Sequence, residues 1–448
     1  MKNFIQTIKN IWSIEDLRIR IINTLGFLLI YRLGSFVTLP GVDSVTLQAI
    51  KSNTDEGLAG LINIFAGGAF SRASIFALGI MPYISASIVM QLLSMAVPHF
   101  QRMQREGDSG RKKINQYTRM LTVVVTLLQA PGYIASQIPK EAIMSDVSFF
   151  WFSSIIILTA GTIFIMWLGE KITDRGIGNG ISLIIMIGII ANLPVAFLQE
   201  FVSRFDNMQG GGMVALVVEI LLLFLIIVVS ILLVQGTRKI PVQFAKKIVG
   251  NKQYGGVRQY IPLKVNAAGV MPIIFAQAIM FIPLTIAGFA NAESLGSFVA
   301  TFSNPNGFWH NFVFALLIIV FTYFYTAITI NPNQMADDMK RNGGFIPGVK
   351  PGKKTAEFID SIMSRITFPG SLFLAFVAIL PAFASLMGIN QQFAHFYGGT
   401  SLLILVGVVL DTLQQIESHL LMRHYDGLMK SGRIKGRNVP NAAVNYAG

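Results

Sequence analysis

Ten stretches of mostly apolar residues, each near the ~20 residues needed to cross a ~30 Å hydrocarbon core, constrain this chain more than any other feature. They are Ile19–Thr38, Ile75–Val97, Leu121–Ile138, Phe150–Gly169, Ile181–Leu198, Met213–Val234, Ala268–Ala287, Trp309–Thr329, Ile366–Met387 and Phe396–Leu413. In lipid a spanning segment has to satisfy its own backbone donors and acceptors, and a helix does so within itself. The expected fold is therefore an all-α polytopic membrane protein with ten transmembrane helices. The charge content agrees. Only 13% of the residues are charged, about half the roughly 25% of a soluble chain. Most segments between the spans are short and leave little material for a soluble domain.

Basic residues set the orientation. With the amino terminus inside, only Lys51, Arg72, Lys140 and Arg204 fall in outer loops and Arg32 lies within the first span; the rest of the 35 Lys and Arg sit on the inner side. That asymmetry is the positive-inside pattern, so the net charge of +13 is mainly a topology signal. It also leaves two long basic loops in the cytosol, 235–264 and 331–365. The first carries Arg238, Lys239, Lys246 and Lys247, and the second carries Lys350, Lys353 and Lys354. Both contain Gly and Pro and can stand off the membrane as hairpins. They read either as solvated positive-inside charge or as a docking surface for phosphate or carboxylate groups. Met1 to Arg20 lacks the apolar core of a signal peptide. Phe4, Ile5, Ile8, Ile11 and Trp12 fall at helical spacing between lysines, the pattern of a helix lying on a membrane surface, with a frayed tail as the alternative.

Some segments depart from simple spans. Gly57 to Phe70, GLAGLINIFAGGAF, is apolar but too short to cross, and four glycines interrupt it. Irregular backbone at membrane depth is tolerated only inside protein or beside a wet cavity, so this segment reads as a re-entrant plug on the outer side. A helix packed on outer headgroups is the alternative. Gly79 and Pro82 loosen the second span, and Ser85, Ser87 and Gln91 put polar groups into it; Asn266, Pro272 and Gln277 echo this in the seventh. Such residues serve as polar glue between helices, and they also suit a seam that opens. Glu219 is the clearest ionisable residue deep in a span. It reads as a snorkelling side chain or an interhelical pair near the outer interface, or as a proton or ion site. Ile156 and Ile226 lie on spans assigned to the periphery.

Catalysis has little support. The five histidines are scattered, and no HExxH, GxSxG or phosphate-binding loop is present. The absence of cysteine excludes disulfides, thiolate metal sites and a cysteine nucleophile. No cofactor or metal is implied. Ten spans divide as five plus five, and a tandem duplication of odd halves would be inverted in the membrane. No convincing sequence repeat stands out.

Five runs together resemble the SecY family, the central subunit of the bacterial Sec translocon: SIFALGIMPYISASIVMQLL (74–93), GTIFIMWLGEKITDRGIGNGISLII (161–185), IPLKVNAAGVMPIIFA (261–276), GGFIPGVKPGKKTAEFID (343–360) and GGTSLLILVGVVLDTLQQIESHL (398–420). Their order and spacing agree over nearly the whole chain. The resemblance implies two inverted halves of five helices, 1–198 and 199–422, followed by a cytosolic tail, 423–448. It implies a plug within about 57–73, with Asn63, Ile64, Phe65, Gly67 and Gly68. It further implies a pore ring of Ile80, Ile84, Ile185, Ile189, Ile274 and Ile404, and a lateral gate holding Ser85, Gln91 and Ile282.

The implied activity is a non-enzymatic protein-conducting channel in the bacterial cytoplasmic membrane, with both termini cytosolic. It would pass unfolded preproteins outward and release apolar segments sideways into membrane lipid. The implied partners are the small subunits SecE and SecG, the SecA motor ATPase, the ribosome, and the preprotein with its signal peptide. The family usually carries Arg-Pro-Gly in the second basic loop, where this chain has Lys350-Pro351-Gly352. Lysine keeps the charge but loses the planar fork. The competing readings are a secondary transporter coupled through Glu219 and a membrane scaffold without a pore.

Overall fold

The structure, a computed structural model, describes residues 12, 14–51, 66–144, 146–206, 212–244, 247–249, 252–254, 258–277, 279–280 and 307–430. Of the expected amino-terminal surface helix only Trp12 lies within these residues. The first half begins with α1 (Glu15–Gly34) and α2 (Ser44–Lys51). Then come α3 (Met81–Ala96), α4 (Pro98–Arg105), α5 (Asp108–Gln137), α6 (Val147–Arg175) and α7 (Gly180–Asp206). After α8 (Gly212–Gln235) the chain forms β1 (Thr237–Phe244), β2 (Lys247–Val249), β3 (Lys252–Tyr254) and β4 (Arg258–Lys264). A further helix starts at residue 271. It is followed by α9 (Phe308–Thr329), α10 (Pro332–Arg341), β5 (Gly344–Phe345), α11 (Lys353–Leu386), α12 (Gln391–Ala394) and α13 (Gly399–Lys430).

Among the described residues, six helices are long and apolar enough to cross a membrane: α6, α7, α8, α9, α11 and α13. Counting α3 and α4 as one broken span makes seven. These two helices meet at a bend of 100°. Val97, extended at φ −106° and ψ 119°, forms the corner because Pro98 forces the preceding residue out of the helical region. α1 and α5 hold the first and third candidate stretches, but their polar and charged residues leave them below that apolarity. α13 runs on to Lys430, past the expected start of the tail at 423.

The structure corrects two expectations. The second apolar stretch is not one helix from Ile75. Residues 75–80 form turns, and α3 begins at Met81 with Pro82 in its first turn. Proline there loses no hydrogen bond and its fixed φ suits the helix, so it starts the span and does not loosen it. α3 has 16 residues, about 24 Å at 1.5 Å per residue, which is short for a ~30 Å core. The turns before it supply the missing depth.

The fold is also not purely α. β1 pairs antiparallel with β4 from Thr237↔Lys264 to Gln243↔Arg258, and its other edge pairs with β5 at Gln243↔Phe345 and Phe244↔Gly344. The two basic loops, expected as separate hairpins, thus form one unit. Ile240, Val242 and Leu263 of the sheet pack with Met339, Ile346, Ile359 and Met363 as a core of their own.

Close approach of backbones fixes the bundle around the turns at 66–80. A Cβ on Gly161 of α6 would lie 2.2 Å from the Ile75 carbonyl oxygen, whereas one on Gly26 of α1 meets nothing within 4 Å. Gly161→Ala should therefore lower detergent stability by about 1–3 kcal/mol through overpacking. Gly26→Ala should be neutral or raise it by up to about 1 kcal/mol through helix propensity. Melting curves of both variants test the packing, and equal curves would contradict it.

Candidate functional site

The six singled-out isoleucines come from four places in the chain and meet in one hydrophobic cluster. Ile80 is the N-cap of α3 and Ile84 lies one turn inside it. Ile185 and Ile189 are on α7, Ile274 is in the first turn of the helix from 271, and Ile404 is near the start of α13. Ile80, Ile185, Ile189 and Ile404 are buried in the cluster, and Ile84 and Ile274 pack against it. Five of the six, all except Ile189, line a cavity of about 30 Å³, on the order of one or two waters. Ala66, Gly79, Ser85 and Gln277 complete much of its wall. Apart from these two polar side chains the space is hydrocarbon-lined. An apolar constriction of this size excludes ions by dewetting, with no specific contact needed.

Two local repeats, which the sequence reading did not detect, place these side chains. Gly79-Ile-Met-Pro-Tyr-Ile84 matches Gly269-Val-Met-Pro-Ile-Ile274. Both glycines adopt positive φ, +56° and +62°, and both Met-Pro pairs open a helix. Ser182-Leu-Ile-Ile185 matches Ser401-Leu-Leu-Ile404, each near the start of its helix. In both pairs the isoleucine follows a glycine by five residues, so each side chain sits about one turn into a helix that starts inside the bundle.

Of the expected plug, Asn63, Ile64 and Phe65 lie outside the described residues. Gly67 and Gly68 lie inside the bundle with φ +62° and +85°. Arg32 Nη1 donates to the Gly67 carbonyl at 2.6 Å. The Tyr133 hydroxyl donates to the Phe70 carbonyl at 2.7 Å. Arg32 and Arg72 both lie over the Phe36 ring, at 4.8 and 4.4 Å. Ala66 touches the isoleucine cavity, so this segment backs directly onto the ring.

Of the expected gate residues, Ser85 lines the cavity, as does Gln277. Gln91 is half-buried two turns further along α3, and Ile282 lies outside the described residues. Arg238 and Lys239 are exposed on β1, and Lys350, Lys353 and Lys354 are exposed around the start of α11. The backbone of Lys247 is in β2, and Lys246 lies outside the described residues. Lys350 sits in a fixed turn whose carbonyl accepts from the Thr355 hydroxyl at 3.0 Å.

Arg204, assigned to an outer loop from sequence, is buried near the end of α7 and reaches Glu219 of α8 at 2.6 Å. Charge-counting of loops could not find this pair, because it treats every basic residue beyond a span as solvated. Ile226 is not peripheral either, since it packs against the central cluster.

The SecY family model matches residues 74–413. The chain belongs to the SecY family. A protein translocase subunit SecY from Streptomyces scabiei is 42% identical over 436 residues, covering 93% of this chain and 97% of the relative. The one from Halalkalibacterium halodurans is 46% identical over 442 residues, covering 95% and 100%. A solved structure described as a protein conducting channel superposes with a TM-score of 0.62 at 18% identity, covering 94% of this chain and 95% of that one. The fold is thus that of the family's solved channels, and the chain is a multi-pass membrane protein.

If the cluster seals the family's pore, polar side chains in it should leak. Ile84→Asn with Ile274→Asn should raise resting ion conductance on the order of tenfold, the equivalent of ~1.4 kcal/mol off a barrier. Asparagine at Ile156 and Leu225, both exposed on the bundle surface, should not. Single-channel recording of the two double variants checks this. Equal leak from both, or a tight ring variant, would remove the cluster from the seal.

Proposed function

We propose that this chain is the pore of a Sec translocon, passing unfolded preproteins through the isoleucine constriction and releasing apolar segments laterally into lipid. The observation that carries this reading is the convergence of five isoleucines from four helix starts on one small apolar cavity, with the glycine-rich segment at 66–73 behind it. Branched aliphatic side chains can close around varied substrates because they offer no fixed hydrogen-bond pattern to mismatch. The segment from about 57 to 73 acts as the plug, and Ser85, Gln91 and Ile282 lie on the gate.

In this reading ten helices form two inverted halves, 1–198 and 199–422, in a bacterial cytoplasmic membrane with both termini in the cytosol. Two features support the inverted halves: the Gly-x-Met-Pro repeat and the Ser-Leu-x-Ile repeat each link one half to the other. No residue set for catalysis was found by sequence, and energy comes from partners. Solved relatives of the fold include Sec61 in a canine ribosome-channel complex. The exposed basic residues of the β1–β4 unit and the Lys350 turn give this chain a matching surface for a ribosome or the SecA motor. SecE and SecG complete the assembly. The direct test is reconstitution into vesicles with a motor ATPase and a secretory precursor. The reading expects ATP-dependent protection of the precursor from protease, and the absence of protection in an assembled complex would contradict it.

Lys350 separates coupling from architecture. Its side chain is exposed and its turn is held by backbone contacts, so Lys350→Glu should change detergent stability by no more than about 0.5 kcal/mol. Translocation in the same vesicles should fall. A variant that unfolds or fails to insert would make Lys350 structural.

A further inference from the structure

Two cations sit side by side where α1 meets the turns at 66–73. The Arg32 and Arg72 guanidiniums lie over the same ring, that of Phe36, at 4.8 and 4.4 Å. Among the described residues no carboxylate pairs with either of them. Glycines make room for both. A Cβ on Gly67 would stand 2.9 Å from Arg32 Nη1, and one on Gly68 would stand 2.9 Å from Arg72 Nη2. Arg32 Nη1 donates to the Gly67 carbonyl. Arg72 Nη1 is enclosed by protein and has no hydrogen-bond partner.

This arrangement is incomplete as it stands. The two like charges act on each other, and partial removal from water strengthens their repulsion. An enclosed donor without an acceptor adds to the cost. The Phe36 ring offsets only part of this. A negatively charged group bridging the pair removes both penalties. Both arginines are half-buried, so such a group can reach them from outside. Guanidinium forks match the oxygens of a phosphate or a carboxylate.

The surface beside the pair decides which anion it takes. Leu25, Leu29 and Leu33 recur every four residues on α1, and all three are exposed. Phe36, also exposed, continues this stripe just past the helix end. The stripe therefore runs from within the first apolar stretch to the guanidinium pair near its end. Apolar contact along the helix and positive charge at the membrane face fit the two parts of a phospholipid, acyl chain and phosphate.

We infer that Arg32, Arg72 and Phe36 form a headgroup site for an anionic phospholipid of the phosphatidylglycerol type. Its phosphodiester oxygens accept from both guanidiniums, and a small rotation of the Arg72 side chain brings Nη1 to them. One acyl chain lies along the leucine stripe of α1. A zwitterionic lipid fits worse, because its ammonium would stand beside two guanidiniums. The bound phosphate joins α1 to the turn at Gly67 and Gly68 through the two arginines. In the proposed orientation this lipid belongs to the outer leaflet.

The test uses the assembled complex in detergent and reads its melting temperature. The added probes are phosphatidylglycerol, phosphatidylcholine with the same acyl chains, and inorganic phosphate. Phosphatidylglycerol should raise the melting temperature of the parent by a few degrees more than phosphatidylcholine does. Arg72→Gln should lose most of that difference. Without added lipid it should melt close to the parent, because it removes a positive charge from beside Arg32. Lys112→Gln, an exposed basic residue at the start of α5, should keep the full difference. An undiminished difference in Arg72→Gln, or an equal loss in Lys112→Gln, would overturn the inference. An equal rise from phosphatidylcholine would overturn the anionic headgroup, and an equal rise from inorganic phosphate would overturn the lipid. A second measurement needs no variant and decides if Arg72→Gln does not assemble. Phosphatidylglycerol with a photoreactive headgroup should form adducts within residues 32–37 or 66–73 of the parent complex. No adduct there would mean that another subunit covers the pair, and the site would fall. Neither readout involves translocation or depends on which leaflet is outermost, so failure here and failure of the channel reading are seen separately.

Discussion

Hydrocarbon offers no hydrogen bonds, so backbone that is not helical at membrane depth must find its partners within the protein. The segment 66–80 meets this demand in detail, and the rest of the site depends on it. Leu39 N–H donates to Ala73 O at 2.8 Å, Ile75 N–H to Val37 O at 2.9 Å and Ser74 N–H to Ala69 O at 3.1 Å. Side chains take up other groups: Phe76 N–H donates to Ser74 Oγ at 3.1 Å, and Arg32 and Tyr133 cover the Gly67 and Phe70 carbonyls. With these backbone groups satisfied, the segment can pack Ala66, Ala69, Phe70 and Ala73 into the bundle. α3 can then start near the middle of the protein, not at its edge.

That helix start is what makes a constriction possible. Helices that run straight through a bundle pack along their whole length. Where a helix begins inside, its first turn leaves a gap that side chains must fill. Ile84 and Ile274 fill it from two such starts, and Ile185 and Ile404 meet them from α7 and α13. In the proposed reading the seal is made of four first or second turns, whose positions depend on the turns that precede them.

Much of this was legible in the sequence. Apolar length picked out the six helices that, among the described residues, are long and apolar enough to cross, and Lys and Arg counts gave an expected orientation, because both follow from the cost of placing charge and open backbone in lipid. Of the short glycine-rich run read as non-spanning, the described part, 66–70, forms turns. Three things were not legible. The start of α3 was hidden because the turn at 75–80 is as apolar as the helix after it, and hydropathy does not distinguish buried turn from buried helix. The pairing of β1 with β5 joins residues about a hundred positions apart, and neither strand shows a strong alternation of its own. Arg204 looked like loop charge because one of its partners, Glu219, lies on the next helix, α8, and no local pattern records that pairing. The proline in Met-Pro was read as a disruption, yet its position at a helix start makes it a boundary mark.

Electrostatics divides the molecule in the same way. Exposed basic groups lie on the β1–β4 unit and the Lys350 turn, while among the described residues the buried charged side chains, Glu200, Arg204 and Glu219, form one network that joins helices. Between them the constriction is uncharged. The measurement that tests this most directly uses the absence of native cysteine in the chain. Single cysteines at Ile84, Ile185, Ile274 and Ile404 would be paired with a preprotein stalled in transit that carries one cysteine. If these side chains surround the path, oxidation should join each of them to the stalled chain, while cysteines at the exposed positions Phe149 and Leu225 remain unlinked. Adducts at the surface positions equal to those at the ring, or none at the ring, would contradict the account.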